Sequence, residues 1–278
     1  MKAYHHALSL AEHYRARLVA HHVIELWRYP SLGFAPSAES YQEFCRSIHE
    51  IGHSQLREFV TTHARENIQP ELVVEQGSAP DAILSFAQTH KTELIVMGTH
   101  GRRGYDRLML GSVTDRVMRR SPCPAVAVSK LPDNTTATCE ERHAHRLNRI
   151  LFCADFSKHS ARALNYAIEA TAEYDAELTL LHVLEEAPSA ARSEQVIAAT
   201  TERLEKLIPS KESKTLRIKT AVCIGEPYQQ IIRLALAEQI DMVAMGVRGR
   251  GALDVAVFGS TTYRVMQLGS CPVLAVRS

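Results

Sequence analysis

Met97 to Val128 reads MGTHGRRGYDRLMLGSVTDRVMRRSPCPAVAV, and Met245 to Val276 reads MGVRGRGALDVAVFGSTTYRVMQLGSCPVLAV. The two stretches align without a gap at a constant offset of 148 residues. In both, an apolar run (Leu94 to Met97, Met242 to Met245) leads into Gly, two residues, Gly, nine residues and Gly-Ser, where a helical pattern begins. This is strand, glycine loop and helix N-terminus, written twice. Glycine lets the backbone approach a ligand closely, and the first amides of a helix have no intrahelical acceptor, so an anion such as phosphate suits the place. Ser112, three residues before Asp115, reads equally as a helix cap and as a phosphate contact. The loop is not a Walker A motif, which needs Gly-Lys-Ser/Thr, nor the dinucleotide G-x-G-x-x-G. Its weight comes from being duplicated with identical spacing.

Working outward, Tyr14 to Glu25 (YRARLVAHHVIE) matches Tyr174 to Glu185 (YDAELTLLHVLE) at an offset of 160, so the first half holds about twelve extra residues between the blocks. A period near 150 residues is too long for a solenoid unit and fits duplication of a whole domain. The polar stretch Lys130 to Arg146 separates the copies. The domains are therefore assigned as 1–130 and 147–278, with 131–146 as linker. In the second copy, short β-branched runs alternate with helical patterns. Strands are expected at Ile150 to Cys153, Leu178 to Val183, Leu216 to Val222, Met242 to Met245 and Pro272 to Val276. Helices are expected at Ser160 to Tyr174, Glu194 to Leu207, Tyr228 to Glu238 and from Ser260. That alternation predicts an α/β fold with a parallel sheet covered on both faces, binding ligands beyond the carboxyl ends of its strands.

Composition bounds the function. The chain has 278 residues, 45% hydrophobic and 23% charged, with 32 Lys plus Arg against 31 Asp plus Glu, which is globular composition without the basic excess that nucleic acid demands. No apolar stretch is long enough to span a bilayer and the N-terminus has no signal-type core, so a cytoplasmic protein with no membrane partner is expected. The six cysteines form no C-x-x-C pair and read as small buried apolar residues, except Cys139 in the polar stretch.

The duplicated G-x2-G-x9-G-[ST] loop, the block ILFCADFS (Ile150 to Ser157), LLHVLE (Leu180 to Glu185), Gly225-Glu226-Pro227 and the closing strands after Ser-Pro-Cys-Pro and Ser-Cys-Pro resemble the universal stress protein family in its tandem form, in the branch that binds ATP. The resemblance covers nearly the whole chain outside the linker. It implies two tandem Rossmann-like domains of the adenine nucleotide alpha hydrolase-like type, each a parallel sheet of order 3-2-1-4-5 flanked by helices. It also implies ATP, with or without Mg, at the carboxyl edge. Carried onto this sequence, Asp155 contacts the nucleoside, Val183 lies against adenine, and Met245 belongs to the same pocket. Gly246, Gly249 and Gly259 with Ser260 and Thr261 hold ribose and phosphates. Arg248 and Arg250 read, on charge alone, either as further phosphate contacts or as solvated side chains. The matching set in the first copy is Met97, Gly98, Gly101, Gly111, Ser112 and Val113.

One departure matters. The offset of 160 places Met1 opposite Ala161, so nothing in the first copy matches Arg146 to Ser160, which holds the first strand and its aspartate. In the order 3-2-1-4-5 that strand is central, and its loss strips hydrogen-bond partners from two neighbours. Either the true start lies upstream or the first domain has decayed, with truncation favoured. The second copy is the expected nucleotide site in either case.

His49-Glu50-Ile51-Gly52-His53 spells H-E-x-x-H, which on a helix can bind zinc. Leu56 and Phe59 stand where the metzincin extension needs Gly and His, so the segment reads as a solvated helix face and no metal site is expected. No G-x-S-x-G elbow and no nucleophile with a base are present, so an enzyme is not indicated, although the resemblance brings slow ATP hydrolysis or autophosphorylation with it. The expected function is that of a cytosolic stress-response regulatory switch that binds adenine nucleotide and is read by unknown protein partners. The alternative is a nucleotide-independent interaction module whose closing strands, Ala125 to Val128 and Val273 to Val276, form an internal pseudo-dimer, with a homodimer as a further possibility.

Overall fold

A computed structural model of the chain describes residues 1–28, 37–65, 67–99, 109–129, 147–247 and 259–277. The chain divides into two compact units, Ala3–Thr92 and Glu93–Ser278. These do not coincide with the two sequence copies.

The first unit contains α1 (Lys2–Tyr14), β1 (Val19–Ile24), α2 (Ala38–Thr62), β2 (Glu71–Gln76) and α3 (Ala79–Thr89). β1 and β2 form a parallel two-stranded sheet, and α2 packs along both strands. Ser37 caps α2 by accepting from the Ser40 amide. Gly52 permits the close approach of α2, since a Cβ there would stand 2.9 Å from Ile24 Cδ1. The H-E-x-x-H segment is solvated only in part: Glu50 and Ile51 are exposed, while His49 and His53 are half-buried. Gly52 is buried, and the His49 ring lies 3.3 Å from the Val74 carbonyl, at Nε2. Among the described residues no group of three or more His, Cys, Asp or Glu is placed to hold a metal ion.

The second unit holds β3 (Ile95–Gly98), α4 (Ser112–Arg120) and β4 (Ala125–Val128) from the first copy. It also holds the second copy: β5 (Arg149–Cys153), α5 (Lys158–Tyr174), β6 (Glu177–Leu184), α6 (Ser193–Glu205), β7 (Arg217–Ile224), α7 (Pro227–Ala237), β8 (Met242–Gly246), α8 (Ser260–Leu268) and β9 (Val273–Val276). Its seven strands run β3-β4-β9-β8-β5-β6-β7. The second copy thus stands in the order third, second, first, fourth, fifth. Pairing is parallel within each copy and antiparallel where β4 meets β9, with Ala125 opposite Ala275 and Ala127 opposite Val273, so the sheet as a whole is mixed.

β5 is the central strand. Ile150, Leu151 and Phe152 are fully buried, and side chains alternate across a sheet. Leu151 joins Ile231 and Ala235 of α7, Val265 and Met266 of α8, and Val243, Met245 and Val273 in one continuous core. Ile150 and Phe152 turn to the other face, where α5 packs. Burying three such side chains is worth about 5 to 9 kcal/mol, comparable with the net stability of a whole domain.

The copies agree in register residue for residue. β1 and β2 pair Val23 with Glu75, and β6 and β7 pair Val183 with Cys223, the same positions of the repeat. β3 and β4 pair Ile95 with Ala125, and β8 and β9 pair Val243 with Val273. Helix ends agree as well. Arg15 and Asp175 both stop their helices at φ 50°, and Lys91 and Gln239 do so at 51° and 53°. Among the described residues the first copy therefore shows both flanks of the sheet, divided between the two units, and no counterpart of β5. Of the described cysteines only Cys271 is buried; Cys45, Cys123, Cys153 and Cys223 are half-buried. Among the described residues no helix is long and apolar enough to cross a membrane.

Candidate functional site

Three neighbouring strands of the second copy end together. In the ladder Cys153 stands opposite Leu181 on one side and Met245 on the other, so Asp155, Val183 and Gly246 emerge at one carboxyl edge. The chain leaving β5 is tightly held there. The Ala154 amide bonds the Leu181 carbonyl at 2.8 Å. The His182 ring donates from Nδ1 to the Ala154 carbonyl at 2.7 Å, which fixes the tautomer because a carbonyl only accepts. Asp155 Oδ1 accepts from the Ser157 amide at 2.9 Å, and Ser157 in turn caps α5 by accepting from the Ser160 amide. Between them Phe156 sits at φ 59°, a left-handed conformation that costs about 1 to 2 kcal/mol for a residue with a Cβ. Its ring is clasped by His182, with centroids 4.6 Å apart, and by the Arg203 guanidinium of α6, 3.8 Å from the centroid. These contacts offset the strain and fix the backbone that carries Asp155.

The helix start is tethered to the same edge. The Val247 amide bonds the Val276 carbonyl, the Gly259 amide bonds the Val247 carbonyl at 2.9 Å, and the Thr262 hydroxyl donates to the Gly246 carbonyl at 3.0 Å. Gly259 is the N-cap of α8 and supplies no side-chain cap, so Ser260 and Thr261 open the helix with amides that have no intrahelical acceptor. Met245, 5% exposed, lies within the core, and Val183 is half-buried against it. Burial raises the thiols of Cys153 and Cys223, so neither supplies a thiolate near neutral pH.

The first copy repeats the tether bond for bond. Thr99 bonds Val128, Gly111 bonds the Thr99 carbonyl at 2.8 Å, and the Thr114 hydroxyl donates to the Gly98 carbonyl at 2.8 Å. Met97 is half-buried against the core. Gly111, not Ser112, is the N-cap of α4, and Ser112 with Val113 forms its first turn. Asp115 pairs with Arg119 at 2.9 Å and closes no capping box. Val23, the counterpart of Val183, belongs to the first unit, while Gly98, Gly111, Ser112 and Val113 belong to the second. Asp155 has no counterpart.

The structure thus brings Asp155, Val183, Gly246, Gly259, Ser260 and Thr261 to one edge. Gly249, Gly101, Arg248, Arg250 and Cys139 lie outside the described residues. Sequence reasoning passed over Thr262 and Thr114 as tethers and His182, Phe156 and Arg203 as the clasp. The signal for the threonines was their identity at the repeat offset, and for His182 its match with His22 in the shared HV step.

The family model described as the universal stress protein family matches residues 1–129 and 146–277. Universal stress protein YxiE of Bacillus subtilis is 31% identical over 146 residues, covering 47% of this chain and 99% of the relative. Universal stress protein MJ0531 of Methanocaldococcus jannaschii is 28% identical over 130 residues, covering 47% and 75%. A solved structure of a universal stress protein from Archaeoglobus fulgidus matches with a TM-score of 0.67 at 20% identity, over 99% of this chain and 91% of that one, a likeness of fold.

Proposed function

The chain belongs to the universal stress protein family, and from that premise we propose that its second copy binds ATP or a closely related adenine nucleotide and acts as a regulatory switch, without turnover. The observation that supports this reading is the meeting of Asp155, Val183 and Gly246 with the uncapped start of α8 at one sheet edge, held by the Thr262 to Gly246 bond. The residues fit the ligand chemically. The carboxylate oxygens of Asp155 are acceptors and so take a hydrogen bond from the nucleoside. Val183 offers apolar surface to the base. The amides of Ser260 and Thr261, with the positive end of the α8 dipole, receive phosphate oxygens. Bound nucleotide supplies the negative charge that this helix start lacks, with or without Mg, and orders the surface that protein partners read. The first copy's Met97, Gly98, Gly111, Ser112 and Val113 repeat the phosphate-loop scaffold, and the one site proposed is that of the second copy.

Calorimetric titration of ATP into the nucleotide-stripped chain, with Mg and with chelator, tests this. One site per chain is expected, weakened at least tenfold by Asp155→Ala and by Gly246→Val while circular dichroism stays unchanged. Unaltered affinity in both variants overturns the site assignment.

A second reading, a nucleotide-independent interaction module, is favoured by the antiparallel pairing of the closing strands β4 and β9. Absence of binding heat, with no adenine nucleotide carried through purification, would select it.

A further inference from the structure

On the reading above, in which the second copy takes adenine nucleotide at Asp155, we propose that Arg203 is a positioning residue for that site and the link through which its occupancy reaches α6.

A short turn aims the carboxylate. Asp155 Oδ1 accepts from the Ser157 amide at 2.9 Å, and the ring so closed encloses Phe156, so the direction of the carboxylate and the φ of Phe156 are set together. At φ 59° Phe156 holds a conformation that residues with a Cβ rarely adopt. Left to itself the turn would relax to negative φ and swing the carboxylate with it. The seat of the Phe156 ring prevents this. His182 comes from β6, bonded from Nδ1 to the Ala154 carbonyl at 2.7 Å, and its ring centroid lies 4.6 Å from that of Phe156. His182 therefore belongs to the same sheet edge as the turn it supports. Arg203 brings in a separate element, α6.

The arginine is committed to this contact. It is exposed and has Glu202 and Glu205 near it in sequence, yet its guanidinium carbon lies 3.8 Å from the Phe156 centroid. Glu202 pairs with Lys206 at 2.6 Å instead. The next residue, Leu204, is fully buried, and α6 packs on β6 and β7, so the stem of Arg203 leaves from a fixed point. A guanidinium on a ring face is held by the ring's quadrupole and by stacking of two planar groups. Linkage makes the effect run both ways: the contact that favours the binding-ready turn also steadies α6 when nucleotide binds. The exposed side of α6 is thereby a surface that changes with occupancy.

The test uses the full chain, labelled with 15N, with ATP as the probe. Arg203→Ala should weaken ATP binding about fivefold by calorimetry, the size of a cation–π contact at a partly exposed site. It should also quicken solvent exchange of the Ser157 amide in the nucleotide-free chain while circular dichroism stays unchanged. Arg203→Lys, which keeps a cation for the ring face, should recover part of the affinity. In a Phe156→Gly background, where glycine takes the left-handed turn freely and no ring remains, Arg203→Ala should have no further effect. ATP should slow amide exchange at Leu204 and Glu205 of the unsubstituted chain and lose that effect in Arg203→Ala. Affinity weakened by Asp155→Ala but unmoved by Arg203→Ala overturns this proposal alone, as does an undiminished loss from Arg203→Ala in the Phe156→Gly background. Failure of the unsubstituted chain to bind ATP overturns both this proposal and the reading on which it rests.

Discussion

β8 is bonded on both edges, to β9 and β5, while β3, at the same place in the repeat, is bonded to β4. Asp241 is buried and holds two strand amides, while Glu93 is exposed. On the other flank Leu181 is buried in the core at the position where β1 carries His21, bonded to Glu75 at 2.9 Å. Yet register, helix stops and loop tethers are the same in both copies. Those features are encoded within each strand-helix piece. Burial is not local, because it needs a neighbour, and it is there that the copies part.

The largest effect that sharpens this contrast comes from β5, the central strand of the second copy. Phe152→Ala is expected to destabilise the second unit by about 3 to 5 kcal/mol, read as an early urea transition, with the transition of Ala3–Thr92 unmoved. Next comes the anchor. Asp241→Ala should cost about 1.5 to 3 kcal/mol, because hydrogen bonds to a charged acceptor are lost, whereas Glu93→Ala should stay within about 0.5 kcal/mol, as for an ordinary surface change. Equal costs would mean that Glu93 is already engaged. The tethers test where the copies agree: Thr262→Val and Thr114→Val should each cost about 1 kcal/mol, and a large inequality in thermal melts would break the equivalence of the two loops.

The smallest effect is one of pH. Burial depresses the His21 pKa below its ordinary 6.5, against the opposing pull of Glu75 and with a further lowering from His90; Phe86 packs on the ring. The folded state therefore favours the neutral ring. Its contribution is fully present above pH 6.5 and is lost as pH falls from there toward the lower folded value. The urea midpoint of the first unit should drop between pH 7 and 5.5. His21→Leu, which installs the second copy's residue, should flatten that dependence.

Much of this was legible in the sequence. Every strand and long helix expected in the second copy is present within a few residues, because apolar periodicity and turn residues act locally. That the given sequence starts past the block matching the first strand was legible from the offset of 160. The fate of its neighbours was not, since whether β3 and β4 stay with β1 and β2 or join β9 depends on competition between distant edges. At the site, the glycine spacing announced a helix start, but the choice left open for Ser112 was not legible, because N-cap and first helical residue differ by one position in backbone geometry alone; Gly111 is the cap. The clasp on Phe156 was invisible, since Arg203 lies 47 residues away and only packing brings it there.

The antiparallel ladder between β4 and β9 has a kinetic meaning as well. Strands on separate molecules must find each other, and their union fades on dilution. Here both belong to one polypeptide, so their encounter is a first-order event governed by the effective concentration that the connecting chain imposes. A cell holding few copies of this protein keeps the joined sheet as completely as a cell holding many, and changes in abundance leave the pairing untouched.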